Sequence, residues 1–227
     1  FGFGATGGGS YASPYQAIKQ AQVLIDAAAN TTVVSATERA SISGFAKTIM
    51  GYQFMIPANF VYQNGIRVDV ADPLNPGPYV TYDAALDHIL GVLNDGLTDL
   101  NAAGTGNFPF KLTAGWTGFN TIETLKQVNR GIAARLNLYR EDWQGALDAV
   151  NASFINETGS LNAGPAHPYG APPDSFNPLF YVANAAVSTI IVVHPSVLDD
   201  ATPGDKRVTD KFLLRNTPVT VSTDAGP

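Results

Sequence analysis

Apolar side chains recur at helical spacing in five stretches of the chain, and each stretch begins with residues that cap helices. In the second stretch they fall at alternating intervals of three and four residues, at Ile42, Phe45, Ile49, Tyr52 and Ile56. The capping signals are Ser13 and Pro14 with Gln16, Ser35 with Glu38, Thr81, Asn120 with Glu123, and Asp142. The pattern therefore predicts five helices, the first running from Pro14 to about Ala29 and the last ending near Ile155.

Two of the predicted helices begin with the same short pattern. Tyr82 is followed three residues later by Ala85 and then Leu86, and Trp143 is followed in the same way by Ala146 and Leu147. In tetratricopeptide-type helix pairs the aromatic ring fills the gap between helices, and the alanine lets two backbones approach closely. The pattern predicts a mainly α fold of tetratricopeptide-like pairs, with Tyr82, Ala85, Trp143 and Ala146 at the helix contacts.

The chain changes character after its last predicted helix. We expect a helical region over residues 1–156, with long connections at 62–80 and 101–119. Residues 157–180 are rich in Gly, Pro and Asn, and the β-branched run from Ser188 to Val193 favours a strand. Residues 157–227 are therefore predicted to form an irregular region with short strands. Because the chain starts at Phe1 and ends at Pro227 just after a strand-like run, we expect it to be a piece of a longer protein.

Composition narrows the classes of function. Hydrophobic residues make up 45% of the 227, which indicates a globular chain, whereas charged residues make up only 14%. The net charge is −6 and basic residues form no run, so binding to nucleic acid lacks its electrostatic driving force. The absence of cysteine excludes disulfides, thiolate zinc sites and cysteine nucleophiles from this chain.

No group of residues has the spacing that catalysis or a cofactor requires. Gly2, Gly4 and Gly7 match the dinucleotide-binding spacing, but a helix predicted to start at Pro14 is too distant to receive a pyrophosphate. His88 has no second ligand at helical spacing, His167 lies in a proline-rich loop and His194 follows a predicted strand. The acidic pairs are adjacent residues, whose side chains tend to point apart. We expect no catalytic residues, no metal site and no cofactor.

Aromatic residues in the long connections are the better candidates for binding. Flat rings stack on the apolar faces of sugars, while amides and guanidinium groups bind the hydroxyls. Trp116 is the strongest candidate because glycines flank it at positions 115 and 118. The candidate ligand-binding residues are Trp116, Tyr79, Phe108 and Tyr62. For each of them the alternative is that the ring fastens its loop to the helices.

The helical region resembles the SusD/RagB family of outer-membrane nutrient-binding lipoproteins. The most specific likeness is in residues 129–154, where Ala134, Arg135, Leu138 and Tyr139 are followed by Asp142–Trp143 and Ala146, as in the family pattern. Weaker likeness covers residues 15–25, 38–52, 82–100 and 203–208. The chain departs from the family at Lys47 and Thr48, where Arg-Ala is usual, and at residues 62–66, where a Tyr-Gly-x-x-Pro motif is expected.

The resemblance implies a cell-surface lipoprotein that captures a nutrient, usually a glycan, without chemistry of its own. It also implies a TonB-dependent outer-membrane β-barrel as partner, on which the protein sits as a lid, and an N-terminal lipid anchor outside this chain. The alternative is a tetratricopeptide-like scaffold that binds a protein or peptide in its groove. A third possibility is an enzyme whose catalytic residues lie in another part of the protein.

Overall fold

Helices make up most of the structure, as the apolar periodicity predicts. The computed structural model describes residues 8–72, 74–160, 162–170, 193–194 and 196–216. The helices of the first part are α1 (Gly8–Asn30), α2 (Ala36–Val61), α3 (Tyr82–Ala103), α4 (Ile122–Tyr139) and α5 (Trp143–Asn151). Two short strands in the α2–α3 connection, β1 (Ile66–Arg67) and β2 (Tyr79–Val80), pair antiparallel, with Ile66 opposite Val80 and Arg67 opposite Tyr79. One turn of 3-10 helix precedes β1 at Tyr62–Asn64.

Three predicted helix caps are confirmed. Ser35 and Glu38 form a reciprocal capping box, in which the Glu38 amide donates to Ser35 Oγ and the Ser35 amide donates to Glu38 Oε2. Thr81 Oγ1 accepts a hydrogen bond from the Ala84 amide, and Asp142 Oδ1 accepts one from the Gly145 amide. These bonds satisfy amides that have no partner within the helix, which is why the sequence signal is reliable.

Helix α1 begins earlier than its sequence predicts. It starts at Gly8 and contains Pro14 in its interior, so the expected cap at Ser13 does not form. Proline lacks the amide that would donate to Ser10, but one lost bond is tolerable when the extra turn is well packed. Tyr11 and Tyr15 supply that packing, because their ring centroids lie 4.9 Å apart and both contact the core.

The predicted ends of α4 and α5 are also displaced. The cap of α4 is Thr121 with Thr124, rather than Asn120 with Glu123. Helix α5 ends at Asn151, short of Ile155. The chain leaves the helix there so that the Phe154 ring can pack edge-on against Phe119, with centroids 4.9 Å apart.

Helices α2 and α3 cross at very short range. Gly44 of α2 packs against Leu100 of α3, and Gly51 packs against Leu93. Two glycines seven residues apart on one helix therefore contact two leucines seven residues apart on the other. A Cβ placed on Gly44 would lie 2.7 Å from Leu100 Cγ and 2.9 Å from the carbonyl oxygen of Gly96. Only glycine fits such contacts, because any larger side chain would push the backbones apart.

Helix α2 is the centre of the helical region, since it packs on both α1 and α3. The stripe predicted from apolar spacing is therefore not its most buried face, and Tyr52 in that stripe is 43% exposed. The buried positions include small residues that apolar patterning overlooks, namely Ser41, Gly44, Thr48, Gly51 and Ala58.

A buried polar contact joins α2, α3 and α4. Asn129 is fully buried, and its amide nitrogen donates to Thr48 Oγ1 at 2.8 Å and to the Leu93 carbonyl at 3.0 Å. Its amide oxygen accepts from Arg130, which also donates to Asn94 Oδ1. The Asn129 side chain therefore has a partner for both its donor and its acceptor, as a buried amide requires.

The four residues predicted at the helix contacts differ in how deeply they are buried. Ala85 and Ala146 are buried, and Tyr82 is partly buried with its hydroxyl donating to Asn59 Oδ1 at 2.7 Å. Trp143 is 65% exposed, so the expectation that its ring fills a gap between helices is wrong. Helix α5 packs on α4, with Ala146 and Ala149 buried, which leaves Trp143 and Leu147 on its flank.

The chain divides into two compact units, residues 1–167 and residues 168–227. The first unit continues past residue 156, where sequence places the end of the helical region, and the Ala166 amide donates to the Gly115 carbonyl at 2.9 Å. The described part of the second unit contains two short helices, α6 (Ser196–Asp199) and α7 (Lys206–Lys211). Residues 188–192 of the predicted strand lie outside the described residues.

Candidate functional site

The four candidate ligand-binding aromatics divide into two groups at opposite ends of α3. Tyr62 and Tyr79 lie in the connection before this helix, and Phe108 and Trp116 lie in the connection after it. A helix of 22 residues is about 33 Å long at 1.5 Å per residue. A single small ligand therefore cannot contact both groups.

The two aromatics that follow α3 belong to one ring cluster around Phe45 of α2. The Phe45 centroid lies 5.8 Å from Phe108, 5.3 Å from Phe110 and 5.8 Å from Trp116. Phe108 is only 7% exposed and belongs to the core, so its ring presents little surface to a ligand. Trp116 is half-buried against the same core. These rings fasten the α3–α4 connection to α2, which was the alternative interpretation of the sequence.

An open groove of about 530 Å³ lies beside that cluster. Its lining includes Phe110 and three exposed polar side chains, Asn107, Lys111 and Asn120. The loop is held in place by a bridge between Asn107 and Thr121 and by a hydrogen bond from the Ile122 amide to the Gly106 carbonyl. Amide and ammonium groups could bind hydroxyls here, but no ring in the groove is as exposed as Tyr62 or Tyr79.

Tyr79, which precedes α3, is 58% exposed and is held by neighbours on β1 and α1. The Arg67 guanidinium carbon lies 4.4 Å from the Tyr79 ring centroid, opposite it in the two-stranded sheet. Arg67 is fixed in turn, because its side chain donates to the carbonyls of Pro76 and Gly77. The arrangement leaves an oriented ring beside a cation with several donors, which is a combination that suits hydroxylated ligands.

The pKa values of two tyrosines around Arg67 are shifted in opposite directions, that of Tyr79 by hydrogen bonding and that of Tyr15 by burial. The pKa of Tyr79 is lowered because its hydroxyl interacts with the Arg67 side chain and with Tyr11. Burial raises the pKa of Tyr15, whose hydroxyl donates to the Arg67 carbonyl at 2.6 Å and accepts from the Arg67 amide at 3.1 Å. All these phenols are protonated near pH 7, so they act as hydrogen-bonding groups and not as bases.

Tyr62 is the second exposed ring at this end of α3, at 54% exposure. Its centroid lies 4.6 Å from that of Tyr82, and the planes meet at 61°. Its backbone has φ 46° and ψ −111°, in the region that favours glycine. A bulky residue that keeps this costly conformation at the surface is a reason to suspect a functional role.

Sequence reasoning named Tyr62 and Tyr79 as candidates but did not name the residues that orient them. Arg67 and Tyr11 are distant from Tyr79 along the chain, and only the register of the β1–β2 pair and the position of α1 bring them together. Arg67 and Tyr79 lie in facing strands of a hairpin whose connection is too long and proline-rich to reveal its register. The sequence feature that could have pointed to Arg67 is its position directly after the apolar residue Ile66, which is buried in the structure.

The described residues contain no group of three or more His, Asp or Glu side chains placed to hold a metal ion. None of the helices described is long and apolar enough to span a lipid bilayer. No family model, curated protein or solved structure matches this chain.

Proposed function

We propose that this protein is a non-enzymatic nutrient-binding protein of the bacterial cell surface that captures a glycan at the α2–α3 connection. The observation that carries the proposal is the pair of exposed tyrosine rings, Tyr62 and Tyr79, each held in a fixed orientation by its neighbours. Pre-oriented rings lose little conformational entropy when a ligand stacks on them. The resemblance of residues 129–154 to the SusD/RagB family supports the same role.

The chemistry beside the rings fits a polyhydroxylated ligand better than an apolar one. The Arg67 side chain can offer donors to sugar hydroxyls, and Asn59 lies beside the Tyr62–Tyr82 ring pair as the acceptor for Tyr82. Because Arg67 covers one face of Tyr79, a sugar would stack on the opposite face. The low content of charged residues is compatible with a neutral ligand.

The proposed partner is a TonB-dependent outer-membrane β-barrel, on which the helical region would sit as a lid, with attachment through a lipid anchor outside this chain. Tetratricopeptide-like pairing of α2 with α3 and of α4 with α5 is part of this proposal. The burial of Ala85 and Ala146 supports it. A mild-detergent pull-down of the tagged full-length protein from native membranes tests the partnership, with a large β-barrel as the expected product.

Glycan binding is tested by screening oligosaccharides and measuring the affinity of each hit by calorimetry. Tyr79→Ala should weaken binding by about fivefold, equivalent to the 1 kcal/mol typical of an aromatic contact, while Tyr79→Phe keeps the ring and most of the affinity. Tyr62→Gly removes the second ring but suits the backbone, so it should weaken binding without loss of stability. Unchanged affinity in both Tyr79→Ala and Tyr62→Gly would exclude this end of α3 as the glycan site.

The second candidate is a scaffold that binds a protein or peptide, and the exposed flank of α5 favours it. Trp143 and Leu147 are 65% and 53% exposed, and large exposed apolar side chains that lie together are typical of protein contacts. Trp143→Ala should abolish capture of such a partner and leave glycan binding unchanged, whereas Tyr79→Ala should do the opposite. Each variant is thus the control for the other.

A further inference from the structure

A second cavity lies where α1, α2 and α3 meet the segment 68–71 that follows β1. It is an open groove of about 490 Å³. Apolar side chains from all three helices line it, namely Ile25, Met50 and Val92. Polar side chains at its edge include Lys47, Asp69, His88 and Asp95. A cleft with an apolar wall and a few converging polar groups is the usual form of a small-molecule site.

One wall of this groove is fixed before any ligand arrives. Lys19 Nζ donates to the carbonyls of Val70 at 3.1 Å and Ala71 at 2.9 Å. The segment is held at its other end because Tyr15 makes two hydrogen bonds with the backbone of Arg67. The groove is therefore preformed, and binding in it does not require ordering of a loop.

The charges at the edge of the groove are not balanced. Lys47 is neutralised by Asp99, whose Oδ2 lies 2.7 Å from its Nζ and also accepts from Ser43. Asp69 and Asp95 form no ion pair within 4 Å in the described ranges. The nearby Lys19 ammonium donates to backbone carbonyls and forms no ion pair with a carboxylate in the described ranges, so the two carboxylates at this edge still outnumber the one cation that is not neutralised.

His88 supplies a neutral polar group at the same place. Its half-buried ring packs edge-on against Phe54, with centroids 5.6 Å apart, and the described residues give it no hydrogen-bond partner. Burial lowers the pKa of His88, so its imidazole is uncharged near pH 7. An uncharged ring does not compensate the two carboxylates, and its nitrogens can serve a ligand as donor or acceptor.

We infer that this groove binds a small organic cation, an amine or guanidinium carrying an apolar body. The ammonium or guanidinium group would lie between Asp69 and Asp95, and the apolar body would lie against Met50 and Val92. Residues 68–71 of the α2–α3 connection form one wall of this groove, but none of the proposed glycan contacts, Tyr62, Arg67 and Tyr79, lines it. The two proposals are therefore tested on different side chains.

The test is an NMR titration of the full chain with benzylamine, benzyl alcohol and benzoate at physiological salt. Benzylamine should perturb the signals of the groove residues and saturate, benzyl alcohol should bind more weakly, and benzoate should not bind. Asp95→Asn and Asp69→Asn keep the side-chain shape. Each should lower the affinity for benzylamine by about tenfold, as expected for the loss of a charged hydrogen-bond acceptor.

The matched control is Asp148→Asn, which removes the same charge from the exposed side of α5, where the Asp148 carboxylate accepts a hydrogen bond from Gln144. It should change benzylamine affinity by less than twofold, because the surface charge there is distant and screened. Val92→Trp fills the groove and should abolish binding, with circular dichroism confirming that the variant is folded. Equal binding of amine and alcohol, or equal losses in Asp95→Asn and Asp148→Asn, would overturn the inference.

Discussion

The crossing of α2 and α3 makes a quantitative prediction, because two glycines on these helices lie in opposite surroundings. A Cβ on Gly44 would meet Leu100 Cγ at 2.7 Å and the Gly96 carbonyl oxygen at 2.9 Å. A Cβ on Gly91, within α3, would meet nothing within 4 Å. Gly44→Ala and Gly91→Ala therefore make the same chemical change inside a helix, with and without a steric clash.

The expected magnitudes follow from two opposing terms. Alanine is a better helix former than glycine by about 1 kcal/mol, so Gly91→Ala should raise the free energy of unfolding by that amount. The same gain applies at Gly44, but forcing a methyl into a filled core costs about 1–3 kcal/mol. The cost should be near the upper end, because the Gly96 carbonyl belongs to the backbone and cannot rotate away. Gly44→Ala should thus be less stable than Gly91→Ala by about 2–3 kcal/mol.

Urea unfolding of both variants, followed by circular dichroism at constant temperature, measures this difference directly. The slopes with urea should match that of the parent chain, so that differences in midpoint report stability alone. If Gly44→Ala proves as stabilising as Gly91→Ala, the helices do not approach as closely as described, and the explanation of the glycine–leucine pairs fails.

Three further predictions concern packing and charge. Asn129→Ala should lower the free energy of unfolding by about 1–3 kcal/mol, because it leaves buried hydrogen-bond partners unsatisfied. Asn94→Ala removes only an exposed acceptor of Arg130 and should lower it by less than about 0.5 kcal/mol. Urea unfolding of the two variants measures the difference. The pKa of His88 is lowered in the folded chain, so the unfolded chain takes up this proton first as the pH falls below about 6.5. Stability should therefore decrease as the pH falls below about 6.5, and a His88→Gln variant should lack this part of the decrease in thermal melts. Ala146→Leu should destabilise the chain by about 1–3 kcal/mol because position 146 is buried, whereas the stability of Trp143→Ala should stay within about 0.5 kcal/mol of the parent. If chemical denaturation gives the reverse order, the Trp143 ring does pack between helices.

The sequence predicted helix starts well where the capping side chain forms a hydrogen bond within the same helical turn. Ser35 with Glu38, Thr81 and Asp142 each satisfy an amide three residues away, so sequence spacing alone determines the geometry. The start of α1 escaped prediction because it depends on packing of the Tyr11 ring, which outweighs the preference of glycine for loops and of Pro14 for a first turn.

The candidate site was predictable in residue type and not in placement. Of the aromatic side chains in the long connections, Tyr62 and Tyr79 are exposed, but Trp116 and Phe108 have the same local character and lie against Phe45 instead. Whether a loop ring faces solvent or core is decided by a residue far away in the chain, here one on α2. Local pattern contains no information on that partner.

The same limit explains why the helix most central to the fold was the one whose buried face was misassigned. Apolar periodicity assumes a helix with one partner, so that large apolar residues mark the inward side. Helix α2 has α1 on one side and α3 on another, and against α3 the closest contacts fall on Gly44 and Gly51, which carry no apolar signal. The informative pattern is a pair of glycines seven residues apart on α2 together with leucines at the same spacing on α3. Such a pattern becomes visible only when the two helices are considered as a pair, because the residue that fits each glycine belongs to the other helix.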